Sequence, residues 1–288
     1  MKKIFQILLL FILNSHWNSW AQQKIAIKAK LIPEKNSLFV QQKIVYKNNT
    51  NQSVNKLIIN DWNHSYSNRK TKLGQRFSDQ FVRNFHLSSA KERGNTTIEK
   101  LTINQFYANW CRIDDQIDLI ELQTPPLKKG ESITIDIEYE LRIPDAKFTK
   151  WGVNKGNYYL KDCFLLIAKN QNGVNLQYSN ENIEDAALEE IENITFEFDI
   201  PENYKITSNL PLSAPTLFNG KNCKEFQFSI EKNLSFETFL NDKMTVETNL
   251  YGSRINEIQK ALIIDKIINY FDEKLGASKE KKNNCITG

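Results

Sequence analysis

The sequence predicts a mainly β protein: an antiparallel saddle or sandwich of many short strands that closes on one C-terminal amphipathic helix. Apolar and polar residues alternate along segment after segment up to about residue 250, and turn-forming clusters recur about every ten residues. From residue 253 the apolar positions move to helical spacing.

The elements follow in order. Ile25, Ile27, Ala29 and Leu31 share one face, and Leu38, Val40, Ile44 and Tyr46 another, so Lys24–Leu31 and Leu38–Tyr46 read as a hairpin across LIPEKNS. A second turn, KNNTNQS, leads to a strand at Lys56–Asn60. Residues 61–94 lose the alternation and read as a long polar surface excursion, with a short helix near Ser78–Phe85 capped by Ser78. Strands resume at Ile98–Tyr107, Cys111–Ile113, Asp118–Leu122 and Ser132–Leu141. TPPLKKGES joins the last two, because Pro125 and Pro126 fix φ and remove donors while Gly130 supplies the turn.

Asn172-Gly173 suits a type I′ turn between strands at Phe164–Ala168 and Val174–Tyr178. NIEDAALEEIEN is acidic and holds one or two helical turns. Ile194–Ile200 alternates again, PENYKITSNLP bends, and strands follow at Glu225–Ile230, Glu237–Leu240 and Thr245–Asn249. The closing helix carries Ile255, Ile258, Leu262, Ile267, Phe271 and Leu275, widened by Ile264 and Ile268, with Ser253 as N-cap and Gly276 at C′. The change of period divides the chain into a leader at 1–21, a β-domain at 22–250 and the start of a helical domain at 251–288.

The leader is a signal peptide by its parts. Lys2 and Lys3 form a basic start, Ile4–Leu13 an apolar stretch, and Ser19-Trp20-Ala21 a small-residue cleavage site. The stretch is shorter than the roughly 20 residues a spanning helix needs. The mature chain is expected to start at Gln22, to be exported to the periplasm or secreted, and to stay off the membrane. Losing Lys2 and Lys3 lowers the formal charge from +4 to +2, and no basic stripe with interleaved aromatics marks a nucleic-acid binder. Cys111, Cys163, Cys223 and Cys285 allow up to two disulfides in an exported chain, or remain thiols.

Candidate chemistry is sparse. Beyond the leader's His16, the histidines are His64 and His86; neither has a second His at i+4 or a following Glu, so a His-Glu-x-x-His zinc helix is absent. Asp114, Asp115 and Asp118 lack the calcium-loop pattern and read as a polar turn. The acidic run from Glu181 to Glu192 reads as a solvated face. No Gly-x-Ser-x-Gly elbow, phosphate loop or dinucleotide fingerprint occurs. No catalytic, cofactor-binding or metal-ligating residue is assigned.

Several motifs in sequence are similar to a known pattern. Tyr46–Asn48 ends a strand before a short turn and an apolar strand. Pro126–Ser132 reads Pro-Leu-x-x-Gly-Glu-Ser, Tyr139 lies on the next strand, Ile143-Pro144 forms its exit, and Pro201–Tyr204 reads Pro-x-x-Tyr. In this order they resemble the N-terminal β-domain of aminopeptidase-N-type zinc metallopeptidases, over about Gln23 to Leu275, and the excursion is similar to that of secreted bacterial members. Leu165-Leu166 departs from the family, which tends to have a Pro after aromatics there. The resemblance implies a saddle-like β-domain followed by a thermolysin-like domain. That domain's zinc is held by His-Glu-x-x-His and a downstream Glu, and a Gly-x-Met-Glu-Asn loop grips the substrate amine. Neither motif occurs in this sequence. Some members also lend a Gln or Glu from the β-domain to the amine site, and Gly152–Leu160 offers neither.

The leading expectation is therefore the exported N-terminal, non-catalytic part of such an enzyme, truncated before its catalytic motif. Its last helix would be shaped to pack on the missing C-terminal catalytic domain, with zinc and peptide substrates belonging to the intact protein. KEKKNNCITG then reads as an interrupted reading frame. A stand-alone β-sandwich module is the alternative, binding carbohydrate or peptide with Trp62, Tyr66, Trp110, Trp151, Tyr158 and Tyr159. A third reading is a scaffold that dimerises through the C-terminal helix.

Overall fold

The computed structural model describes residues 23–149, 151–171, 173–232, 237–248 and 255–276, and the backbone of 282–285. The expected leader and the Ser253 cap lie outside the described residues. The first strands are β1 (Gln23–Ile32), β2 (Ser37–Lys47) and β3 (Val54–Asn60). β1 and β2 form the expected hairpin, with Lys24 opposite Val45 and Leu31 opposite Leu38.

The excursion holds two helices rather than one. α1 (Lys72–Asp79) is capped by Thr71, whose side chain accepts from the Gly74 N–H, and α2 (Arg83–Leu87) follows. Ser78 lies in the last turn of α1, and its hydroxyl meets His86 Nε2 at 2.9 Å instead of capping. The break between them falls at Phe81, at φ 58 and 84% exposed. A bulky residue in the left-handed region cannot continue a helix.

β4 (Asn95–Ile103) turns through Asn104 and Gln105, both at positive φ, into β5 (Phe106–Tyr107), so the expected Ile98–Tyr107 strand is a short hairpin. Next come β6 (Trp110–Ile113), β7 (Gln116–Leu127) and β8 (Ser132–Arg142). β7 runs past the expected Leu122 and takes in Pro125 and Pro126. It can do so because the β3–β7 ladder shifts register there, pairing Val54 with Leu127 and Lys56 with Gln123.

β9 (Gly152–Asn154) and β10 (Asn157–Lys161) pair in a segment where no strand was expected. β11 (Leu166–Ile167) pairs with β3, and the small hairpin is β12 (Asn170–Gln171) with β13 (Val174–Asn175), which replaces the Phe164–Ala168 with Val174–Tyr178 expectation. Asn172 is outside the described residues. The remaining strands of the body are β14 (Ile191–Asp199), β15 (Tyr204–Ser208, inside the expected bend), β16 (Leu212–Ala214), β17 (Leu217–Cys223) and β18 (Gln227–Lys232). A last group comprises β19 (Glu237–Leu240), β20 (Thr245–Thr248), the helix α3 (Glu257–Leu275) and β21 (Lys282–Cys285).

An eight-stranded sheet, ordered β16-β17-β14-β1-β2-β8-β4-β5, forms the frame. Its pairs are antiparallel except β1 with β14, which run parallel. Two four-stranded sheets, β15-β18-β10-β9 and β11-β3-β7-β6, share one core with it. The core includes Ile27, Val40, Ile44, Ile135, Ile137 and Phe196 from the large sheet, and Leu57, Ile120, Phe228 and Ile230 from the smaller ones. Phe196, Phe198, Phe226 and Phe228 pack ring on ring, the closest centroids 4.6 Å apart. The period-two pattern places every second residue inward, which the strict buried-exposed alternation of β1 displays.

The other side of the large sheet is polar. Lys24, Lys28 and Lys30 on β1 meet Glu192, Glu197 and Asp199 on β14 at 2.8–2.9 Å. Each exposed pair contributes at most about 1 kcal/mol, so the ladder fixes register more than stability.

α3 begins with a capping box at Asn256 and Gln259, not at Ser253, and ends at Gly276 with φ 85. It meets the β19–β20 hairpin through polar groups: Lys260 Nζ to Glu237 Oε2 at 2.7 Å, Asn241 Nδ2 to Asp265 Oδ1 at 2.7 Å, and Lys243 with Asp272. Only Lys260 and Ile268 are buried in it, while Ile258, Leu262, Ile267, Tyr270, Phe271 and Leu275 are exposed. Among the described residues, no helix is long and apolar enough to cross a membrane.

Candidate functional site

A cavity of about 540 Å³ opens between the excursion, the exit of β8 and strand β10. Its position follows from local backbone choices. Ile143-Pro144 ends β8, and Val153 N–H donates to the Pro144 carbonyl at 2.8 Å, which lays β9 against that exit. Gly152 sits at φ 153, and a Cβ there would lie 2.3 Å from Pro144 O, so only glycine permits the approach. Trp151 is thereby held at the cavity wall.

Four of the six candidate aromatics line this cavity: Trp62, Tyr66, Trp151 and Tyr159. Trp62 is anchored by its indole N–H to Tyr178 O at 2.8 Å, and Asn180 Nδ2 donates to Trp62 O at 2.7 Å. Tyr158 points elsewhere, its hydroxyl donating to Asn36 Oδ1 at 3.2 Å, as strand alternation requires of the residue beside Tyr159. Trp110 packs against the main core.

Apart from Glu184, which belongs to the acidic run, the charged groups of the cavity had no sequence signal. Arg76 on α1 binds Glu184 at two points, and Lys161 lies 3.5 Å from Glu225 and 5.7 Å from the Trp151 ring centroid. Asp162 lines the cavity and occupies the left-handed region at φ 52. Burial pushes its acid up to about 6, opposed by Lys161 and reinforced by Glu225. The thiol of Cys163 is driven up by burial, which leaves it inert. The site therefore combines aromatic rings with one carboxyl that burial raises well above its ordinary range, chemistry suited to a cationic amine beside an apolar group.

The other sequence candidates lie apart. His64 Nδ1 is 3.1 Å from Thr96 O, and burial, followed by the Arg112 charge, lowers its pKa. His86 lies between Ser78 and the Gly74 carbonyl. Asp114 and Asp115 form an exposed turn, but Asp118 is buried, its Oδ2 accepting from Ser179 Oγ and Asn180 N at 2.7 Å each. The acidic run is not uniformly solvated either. Glu189 is 9% exposed and burial pushes it up to about 7, because the start of β14 docks against the sheet beside it. Cys111 is exposed and Cys163 buried, while the side chain of Cys285 lies outside the described residues. Among the described residues no three His, Cys, Asp or Glu side chains converge so that they could hold a metal ion. The donor set of the described residues does not fit a zinc site.

No family model matches the chain, and no curated protein matches it in sequence. Solved structures do match its fold. A two-domain M1 zinc metallopeptidase mutant bound to L-tryptophan aligns with TM-score 0.53 and 10% identity. The M1 zinc metallopeptidase of Deinococcus radiodurans aligns with TM-score 0.51 and 11% identity. Both alignments cover 92% of this chain and 56% of the other. Leukotriene A4 hydrolase of Saccharomyces cerevisiae aligns with TM-score 0.52 and 10% identity, over 96% of this chain and 38% of the other. The chain spans about half the length of the first two and less of the third. It thus has the fold of part of the M1 zinc metallopeptidases, in agreement with the resemblance carried by its motifs.

Proposed function

We propose that this chain is the non-catalytic β-part of an exported zinc-dependent aminopeptidase and is inactive alone. In the intact protein a C-terminal catalytic domain would hold the zinc, and the β-part would wall the cleft that admits peptide N-termini. One observation carries the reading. A fold that spans about half of an M1 metallopeptidase carries a helix, Glu257–Leu275, that meets its own β-hairpin through polar groups while apolar side chains on it stay exposed. Roughly six large side chains there, each worth about 1.5–3 kcal/mol when buried, are the contact surface for that domain. Asp162 would meet the free ammonium of the substrate, a carboxylate in the role that Gln or Glu plays in some members. The leader supports export.

The test has two arms. The purified chain, assayed with leucine p-nitroanilide in added zinc, is expected to show neither turnover nor stoichiometric zinc. The coding DNA beyond Gly288 is expected to contain His-Glu-x-x-His in one forward frame. Turnover by the chain with one tightly held zinc would overturn the reading.

The aromatic cavity favours one second reading, a secreted module that binds carbohydrate or peptide. Tight binding on a glycan array or peptide library, lost on Trp151→Ala, would establish it over the first.

A further inference from the structure

A second depression, of about 600 Å³, lies between the start of α1 and the turn at Asp114–Asp115, apart from the aromatic cavity. Arg69, Lys70 and Lys72 line one side of it together with Arg93. Arg69 Nη2 and Arg93 Nη1 donate to the same carbonyl, that of Ser88, each at 3.3 Å. Two guanidinium groups are thus gathered on one acceptor, and their like charges repel. The arginine ion pairs among the described residues belong to Arg76 and Arg112, so neither Arg69 nor Arg93 has a carboxylate partner there. Arg93 Nε is shut off from solvent and makes no hydrogen bond among the described residues. Burial lowers the Arg93 pKa, and the Arg69 charge adds to the effect.

A protein does not hold two guanidiniums together, one with a buried donor unmet, without cost unless something neutralises them. We propose that Arg69 and Arg93 form a receptor for a tetrahedral oxyanion, phosphate or sulfate, either free or as an ester on a larger molecule. The planar fork of arginine matches two oxygens of such an anion, and Lys70 and Lys72 add point charges at the rim. Helix α1 starts at Lys72 with its positive end toward the same depression, a secondary contribution. Asp114 and Asp115 face the site from the other wall and oppose the anion, while Asp118 is engaged with Ser179 and Asn180. The receptor therefore suits one compact anion and disfavours a polyanion laid across both walls.

Calorimetric titration of the full chain at constant ionic strength tests this, with inorganic phosphate, inorganic sulfate, a sugar phosphate and a sulfated monosaccharide as probes. One saturable site is expected. Arg93→Gln should weaken it at least about tenfold, the loss of about one charge-assisted contact. Asp114→Asn should tighten it, and Lys43→Gln on the outer sheet should leave it unchanged. Binding of the inorganic ions identifies a free anion as ligand, and binding of the esters alone identifies a decorated sugar. If Arg93→Gln fails to fold, Arg69→Gln, on an exposed side chain, carries the same expectation. No saturable heat with any probe, or equal loss in the Lys43 variant, overturns the proposal.

Discussion

Arg76 and Glu184 form a two-point ion pair, Nη1 to Oε2 and Nη2 to Oε1 both at 3.1 Å, and Arg76 also donates to the Glu181 carbonyl. The pair ties the excursion to the segment after Ser179, two stretches far apart in sequence that wall the same cavity. A long polar insertion holds a fixed position through such ties, because it has little apolar surface of its own to bury.

Arg76→Ala is expected to loosen that wall. The hydrogen bond from Arg76 is the main cause that holds the Glu184 carboxyl below its ordinary 4.5. Its folded pKa lies under its unfolded one, so the pair stabilises above the unfolded value and is lost as pH falls through the folded one. With Glu184 64% exposed the gain is about 0.5–1 kcal/mol. Limited proteolysis should cut residues 61–94 faster in the variant at pH 7, with a smaller difference near pH 3.

Asp162→Asn should stabilise the chain at alkaline pH and leave it unchanged in acid. Burial raises the carboxyl from 3.8 to about 6, so the folded state holds its proton more tightly than the unfolded state. Stability from this group is complete below the ordinary value and declines as pH rises to the folded one. Two pKa units correspond to about 2–3 kcal/mol, toward the lower figure because the cavity admits water. Urea unfolding at pH 4 and pH 8 measures the difference. Coincident curves for the unaltered chain and Asp162→Asn at pH 8 would show that the charged carboxylate costs the fold nothing.

Glu189→Gln has the same sign in a higher window. Burial pushes this acid from 4.5 to about 7, and among the described residues the Tyr46 hydroxyl and Glu189 Oε2 both lack hydrogen bonds. Ionising it as pH rises through 7 costs about 3 kcal/mol, which the amide variant avoids. The apparent Tm of the unaltered chain should fall from about pH 5 to pH 7 by more than that of the variant.

The strands were legible where packing follows period two. β1, β2 and β8 match their alternation to within a residue or two at each end, because one face is core and the other carries the lysine–carboxylate ladder. β17 was not legible: its inward positions are Phe218 and Gly220, and LFNGKNC shows no apolar alternation. β10 holds three buried residues in a row, Tyr158, Tyr159 and Leu160, so no period marks it. Asp162 and Arg76 have no local pattern at all, since long-range docking alone brings them to one cavity. The rings of Trp62 and Trp151 were visible as a composition, their convergence was not.

Breaking the Asp61–Arg112 pair should be severe. Asp61 is fully buried, its Oδ2 meets Arg112 Nη2 at 2.8 Å, and its Oδ1 accepts from Thr96 Oγ1 at 2.7 Å. Arg112 also donates to the Ile117 carbonyl at 2.7 Å. Arg112→Ala leaves a buried carboxylate without its counter-charge, at a cost of about 3–5 kcal/mol. Pairing it with Asp61→Asn should recover part of the loss, which a double-mutant cycle by chemical denaturation reads directly.

The helix α3 gives the sharpest test of its outward flank. Leu262 and Phe271 are 56% and 52% exposed, whereas Ile268 is 7% exposed. Leu262→Lys and Phe271→Lys should change unfolding stability by no more than about 0.5 kcal/mol, as surface substitutions do. They should also reduce the light scattered by concentrated protein, since a flank of exposed apolar residues favours self-association. Ile268→Ala should cost about 2 kcal/mol or more, because it removes a buried apolar side chain and leaves a gap. If Phe271→Lys proves as damaging as Ile268→Ala, the chain covers this flank with its own residues, and the surface assigned to a catalytic domain is part of its own core.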